Sequence, residues 1–316
     1  MASSNPKVVA LGGGHGLAAT LSALRGITNE ITAVVTVADN GGSSGRLRSE
    51  FNILPPGDLR MALAALCSDD EWGRSWAKIM QYRFTSEGEL NGHTVGNLLL
   101  AALWDRDGDF VSGLDRVGAL LRVVGRVLPM AAEPLDIEAT FQTGNGTVLV
   151  RGQKNVATAK GQLENIKIIP ENPASRTEVL NAIEDADFIT MGPGSWLTSV
   201  LPHLMVPMQR EAIVAAKAKK IVLMNLDAAP GITGDEFAGY TQAEHLLLLE
   251  KYAPDLKFDF VVADASELDT ELEAMVEGYG GTLISAELRR EPGGINHDVK
   301  KLSSVLTHIF GRNLIG

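Results

Sequence analysis

Apolar runs alternate with amphipathic stretches from Lys7 onward, and each run ends in glycine or a small polar residue. "KVVALGG" (7–13) predicts a buried strand, and "LAATLSALRG" (17–26) has the spacing of a helix closed by Gly26. "ITAVVTVAD" (31–39) predicts a second strand: Val34, Val35 and Val37 are β-branched, and no charge interrupts Ile31 to Ala38. "PPGDLRMALAALC" (55–67) predicts a helix with Asp58 as its N-cap. A polar stretch, "TSEGELNGH" (85–93), leads into "TVGNLLLAALW" (94–104), an almost wholly apolar helix expected to be buried.

The middle of the chain has a different period. "LDIEATFQTGNGTVLVRGQ" (135–153) alternates polar and apolar residues around the turn signal "TGNGT", which predicts a β-hairpin. With "VATAKGQLENIKIIPEN" (156–172) it is expected to form a small antiparallel addition to the main sheet. The α/β rhythm returns in "ADFITMGPGSWLTSVLPHLM" (186–205), "REAIVAAKAKKIVLMNL" (210–226), "TQAEHLLLLEKYAP" (241–254) and "FDFVVADAS" (258–266). A final helix is expected in "HDVKKLSSVLTHIF" (297–310), with His297 near its start. The fold class is therefore α/β: a Rossmann-like parallel sheet wound with helices on both faces. One domain over 1–316 is expected, with the hairpin-containing insertion at 132–170.

Composition narrows the function. At 316 residues and 45% hydrophobic content the chain can bury a proper core. Its 28 Lys+Arg against 39 Asp+Glu give a net charge of −11, which repels polyanions, so nucleic acid is excluded as a partner and any phosphate must be gripped locally. The one cysteine, Cys67, lies in an apolar helix and reads as a small core residue. "MASSNPKVVA" lacks the features of a signal peptide, and no run approaches the roughly 18 apolar residues of a membrane span, so a cytoplasmic location without membrane insertion is expected.

Three glycine loops each follow a strand. "GGGHGL" (12–17) misses the dinucleotide fingerprint, because counting from Gly12 the sixth residue is Leu17. Glycine still lets backbone approach a phosphate closely, with the following helix offering free N–H groups and a partial positive charge. In "VADNGGSSGRLRSE" (37–50), Asp39 stands where a dinucleotide enzyme would hold a ribose hydroxyl, but "NGGSSGR" has no place in that scheme. A second phosphate loop, with Arg46 or Arg48 neutralising charge, fits a diphosphate bridging both. "GPGSWLTS" (192–199) is the third; Pro193 suits a first helical turn, and Ser195, Thr198 and Ser199 supply hydroxyls. After parallel strands all three would lie at the carboxyl edge of one sheet. Gly42→Val is expected to remove nucleotide binding and leave the fold intact.

Five motifs, "GGGHGL", "VTVADNGGSSGRLR", "LPPGDLRMALAAL", "GHTVGNLLLAAL" and "GPGSWLTSVLPHL", closely resemble the gluconeogenesis factor family, bacterial relatives of 2-phospho-L-lactate transferase. The resemblance covers most of 7–226 and implies a Rossmann-like fold whose ligand carries a nucleoside diphosphate. It implies that Gly13, Gly14, Gly16, Asp39, Gly41, Gly42, Ser43, Ser44 and Arg46 line the nucleotide site, completed by Asp58, Asn97, Gly192, Gly194 and Ser195. His15 stands where many members have Thr and Asn40 where many have a second Asp, one carboxylate fewer for a family-style Mg²⁺ site. Both belong to the expected ligand-binding set, with His15 the better contact. The segment "NLDAAPGITGDEFAGYTQAEHL" is longer than usual for the family, so no ligand contact is carried over there.

No activated nucleophile stands out: the six histidines are scattered, with no HExxH pair, nucleophile elbow or Cys–His pairing. His93 reads as a capping or satisfied structural histidine, and Trp196 and the methionines as packing. The resemblance implies a UDP-N-acetylglucosamine-type binding regulator acting on cell-wall precursor supply, gluconeogenic growth and cell shape, with protein partners and without turnover; homodimerisation stays open. The alternative is a phospholactyl-type transferase acting on a nucleoside diphosphate adduct with Mg²⁺. An NAD-dependent oxidoreductase falls with the failed fingerprint.

Overall fold

The computed structural model describes residues 5–226, 240–268 and 270–313. Among the described residues ten strands form two sheets: β1 (Val8–Gly12), β2 (Ile31–Val35), β3 (Arg126–Pro129), β4 (Asp136–Thr143), β5 (Gly146–Arg151), β6 (Gln162–Ile169), β7 (Phe188–Met191), β8 (Lys219–Leu223), β9 (Phe260–Asp264) and β10 (Thr282–Ala286). The main sheet has the order β10-β9-β8-β7-β1-β2-β3, with every pairing parallel. Both faces of a parallel sheet are covered, and β1 and β7 are accordingly buried at every position. The aliphatic runs read in the sequence are these strands.

The strand order fixes where a ligand can enter. The chain lays down β1, β2 and β3 in one direction, then returns to place β7 on the other side of β1. The chain is thus wound in opposite directions from β1 and β7, and the carboxyl edge at this reversal is where open α/β folds take their ligands. Helices α1 (Gly14–Leu24), α2 (Gly42–Phe51), α3 (Pro56–Leu66), α4 (Glu71–Gln81) and α5 (Val95–Asp107) follow the first two strands.

Four expectations change. The antiparallel insertion is a separate sheet, ordered β5-β4-β6, and does not extend the main one. It is fastened to α2 instead: Arg48 donates to Leu135 O and Asp136 Oδ1, each at 2.9 Å, and Arg151 donates to Asp136 Oδ2 at 2.8 Å. Asp58 does not cap α3, because Pro55 is the N-cap and Asp58 lies inside the first turn, its carboxyl engaged elsewhere. Helix α5 buries one face, with Gly96, Asn97, Leu100, Ala101 and Trp104, while Leu98, Leu99 and Leu103 stay half-buried. Pro193 precedes the helical turn of the third loop, which is a π-type turn over Trp196–Val200 capped by Ser195.

Candidate functional site at the carboxyl edge

The first loop leaves β1 at Gly12, and Gly13 is the N-cap of α1. Gly13 has extended backbone, so space rather than torsion demands glycine there: a methyl group would stand 2.7 Å from Asp58 Oδ2 and 3.2 Å from Ser199 Oγ, and would overlap Thr36 Oγ1. One at Gly16 would overlap the Pro193 carbonyl and stand 2.8 Å from Gly194 Cα. First and third loops are therefore in direct contact, with Asp58, Thr36 and Ser199 packed beneath. A histidine locks this corner: the fully buried His203, pulled down to about 4 by burial, is neutral and presents Nε2 3.3 Å from Gly12 O. Gln209 Nε2 donates to its Nδ1 at 2.8 Å.

The second loop joins through α3. A methyl at Gly57 would stand 3.0 Å from Asp39 Oδ2 and overlap Ser44 Oγ. Asp39 Oδ1 accepts from Gly41 N–H at 2.8 Å, turning the chain into α2. Asp58 accepts from Gly14 N–H and, at 3.4 Å, from the Thr36 hydroxyl. Burial first, then the neighbouring Asp39 carboxylate, push Asp58 up to about 7. Two carboxyl groups thus meet under three loops.

Deeper in the second loop, Ser43 Oγ lies 2.9 Å from His93 Nδ1 and accepts from Asn97 Nδ2 at 3.0 Å. All three residues are buried, and Asn97 Oδ1 has no hydrogen-bond partner among the described residues. His93 sits just before Thr94, the N-cap of α5, so as expected it is a satisfied histidine beside a cap. Burial, then Arg46, hold its imidazole below the usual histidine value.

The third loop is held by a residue that sequence reasoning missed. Asn225 accepts from Gly194 N–H at 2.8 Å and donates back to Gly194 O at 2.9 Å, and Gln242 Nε2 donates to the Asn225 carbonyl at 3.0 Å. Gly192 O accepts from Thr20 Oγ1 at 3.1 Å. Ser195 Oγ accepts from Thr198 N–H at 3.2 Å.

The remaining expected residues are less central. His15 and Asn40 are exposed; the Asn40 amide lies against Gly152 of the insertion. Arg46 donates to Glu89 O at 3.1 Å and Asn91 O at 2.6 Å, tying α2 to the 85–93 stretch. Arg48 is committed in the same way, to Leu135 O and Asp136. Gly42 has open space around its missing side chain but a φ of +49°, so Gly42→Val would strain the backbone rather than leave the fold intact. Gly41, with ordinary φ and only Asp39 Oδ1 nearby at 3.4 Å, is the cleaner position for that test.

Among the described residues no three His, Cys, Asp or Glu side chains gather as metal ligands, and no helix is long and apolar enough to cross a membrane. Most of the 227–240 segment lies outside the described residues.

Comparison with known proteins places this geometry in a family. The family described as 2-phospho-L-lactate transferase CofD matches residues 8–305. The gluconeogenesis factor of Bacillus subtilis is 36% identical over 321 residues, covering 96% of this chain and 98% of that protein. This chain belongs to the gluconeogenesis factor family. A Mycobacterium tuberculosis protein that bears the same family name provisionally is 44% identical over 315 residues, covering 97% of this chain and 91% of its own length. The crystal structure of a UPF0052 family protein from Bacillus halodurans superposes with a TM-score of 0.83 at 32% identity, covering 96% of this chain and 99% of that one. Membership of the gluconeogenesis factor family and the α/β fold, with its small antiparallel sheet, are as the motifs implied.

Proposed function

We propose that this gluconeogenesis factor family member is a regulatory protein that binds a UDP-sugar, of the UDP-N-acetylglucosamine kind, in the crevice between the three glycine loops and returns it unchanged. The observation that carries the reading is the contact of the first and third loops, with the Asp39–Asp58 pair joining the second, at the point where strand order reverses. Two helices, α1 and α2, begin there, and their first N–H groups have no intrahelical acceptor; a diphosphate has one anionic group for each. Gly13, Gly14, Gly16, Gly41 to Ser44, Gly192, Gly194 and Ser195 form the cradle in this reading, with Arg46, Asn97 and the two carboxyl groups around it. Through the occupied state the protein would act in the cytoplasm on cell-wall precursor supply, gluconeogenic growth and cell shape, by way of a protein partner.

A second reading, transfer of a phosphorus-containing group from a nucleoside diphosphate adduct, draws on the Asp39–Asp58 pair. Two carboxylates suit Mg²⁺ only when phosphate oxygens and water complete its octahedron. Bound there, the ion would neutralise charge on the diphosphate. Asp39 would hold it, and Asp58, near 7, can keep or give up a proton at neutral pH.

Thermal melting with UDP-N-acetylglucosamine, GDP and a deazaflavin, followed by chromatography of the recovered nucleotide, separates the readings. The regulator is stabilised by the UDP-sugar, by roughly 2.7 kcal/mol at about 100 times Kd, and the nucleotide is recovered intact with or without Mg²⁺. Stabilisation by GDP and deazaflavin alone, or free UDP or GMP appearing with time, selects the transferase.

A further inference from the structure

The hydroxyl of Ser43 is shared by two side chains whose demands differ. Asn97 Nδ2 can only donate, so at 3.0 Å it occupies a lone pair of Ser43 Oγ. His93 Nδ1, 2.9 Å away on the same oxygen, can take either role. Neutral with Nδ1 unprotonated, it accepts the hydroxyl proton; as imidazolium it donates, and Ser43 Oγ then accepts from both neighbours. In that second state the Ser43 O–H has no protein acceptor in this trio and turns away from it.

Ser43 is the second residue of α2, where the N–H groups of Gly42, Ser43 and Ser44 have no intrahelical acceptor; the first such bond runs from Gly45 N to Gly41 O. An anionic oxygen seated there gains one further donor when the hydroxyl is released, and a positive charge behind it. Asn97 Oδ1 marks the place independently: it belongs to a side chain only 2% exposed and has no partner among the described residues, so a hydroxyl of the ligand would satisfy an acceptor that is otherwise costly to bury.

We propose that His93 is a proton-linked positioning residue for this anion site: neutral, it holds the Ser43 hydroxyl proton, and on taking one proton from solvent it releases that hydroxyl to a phosphate oxygen of the ligand. The proposal rests on the nucleotide reading for the identity of the ligand. The proton count closes, since one proton enters from solvent as one ligand binds. The charged groups acting on the imidazole are Arg46 and Glu50 on α2 and Arg83 between α4 and α5; both arginines oppose its protonation and Glu50 favours it. A bound phosphate adds the negative charge that tips the ring toward imidazolium.

Calorimetry with UDP-N-acetylglucosamine between about pH 5 and 8 tests the coupling, because a diphosphate diester does not itself titrate in that range. The wild-type protein should take up protons on binding, in buffers of differing ionisation enthalpy, and its affinity should fall by up to about tenfold per pH unit through the window. His93→Asn places an amide near Nδ1 but cannot be protonated; it should bind with that part of the pH dependence removed. Asp58 titrates over the same range in both proteins, so the difference between them belongs to His93. Identical pH dependence and proton uptake in the two proteins would overturn the proposal while leaving the nucleotide reading standing. A second measurement needs no nucleotide. In the ligand-free protein Ser43→Ala should lower the His93 pKa, read by NMR, because the imidazolium loses a charge-assisted bond to Ser43 Oγ that is stronger than the one the neutral ring loses. An unchanged value overturns the relay whatever binds, and absence of UDP-sugar binding at every pH overturns the nucleotide reading alone.

Discussion

Asp58 carries the clearest single-residue consequence. Its folded pKa, about 7, lies above the unfolded carboxyl value of about 3.9, so the folded protein holds a proton that the unfolded chain releases. That advantage is complete below the unfolded value and is lost as pH rises through 7; above it the buried carboxylate beside Asp39 is a standing cost of about 4 kcal/mol. Asp58→Asn keeps an acceptor for Gly14 N–H and removes the charge. Urea unfolding should find the variant more stable than wild type by up to that amount at about pH 8, with the gap closing toward about pH 5. A gap that does not change with pH would show that the charge is not what the fold resists. A carboxyl group kept at such a cost beneath three loops is what the proposed ligand site would account for.

Between elements, the contact to test is the one joining α2 to the antiparallel sheet. Burial pushes the Asp136 carboxyl up, but Arg151 and Arg48 more than offset it and leave it below the usual range. This contribution is present above the unfolded carboxyl value and disappears as pH falls through the lower folded one. Arg48→Ala should cost about 1.5 to 3 kcal/mol locally, as charged hydrogen bonds do, with amides of β4, β5 and β6 losing hydrogen-exchange protection while β1, β2 and β7 keep theirs. Equal loss in both sheets would sink the idea of a local fastening. Arg48 also shows where the sequence stops being legible. The strands were readable because a parallel sheet buried on both faces leaves an unbroken apolar run, and the loops because glycine clusters followed those runs. Partnerships over long separations left no such trace: Arg48 meets Asp136 across 88 residues, Ser43 meets Asn97 across 54, and Gly194 meets Asn225 across 31. Thr36 left a faint one, a hydroxyl near the end of the apolar run before Asp39, now found beside Asp58. The expected cap at Asp58 failed because the prolines ahead of it already start the helix, freeing the carboxyl for α1.

For the whole molecule, a net charge of −11 sets the approach of any anionic ligand. Far from the crevice a nucleotide is repelled, and the donors at α1 and α2 act only at short range. Association should therefore speed up as salt rises from about 0.01 to 0.15 M, which stopped-flow mixing would read; a rate that falls with salt would mean that the crevice steers its ligand from a distance. The switch point has one more consequence, in the order of folding. Joining β1 to β7 brings Lys7 N–H onto Asp187 at 2.8 Å, two residues 180 apart in the chain. Closing so long a loop returns nothing until the strands meet, so this seam should form after the local βα units on either side of it. The first and third loops lie along that seam and face one another only once it is shut. Neither half of the chain carries the proposed site alone, and competence to bind there would mark a molecule whose most distant parts have already found each other.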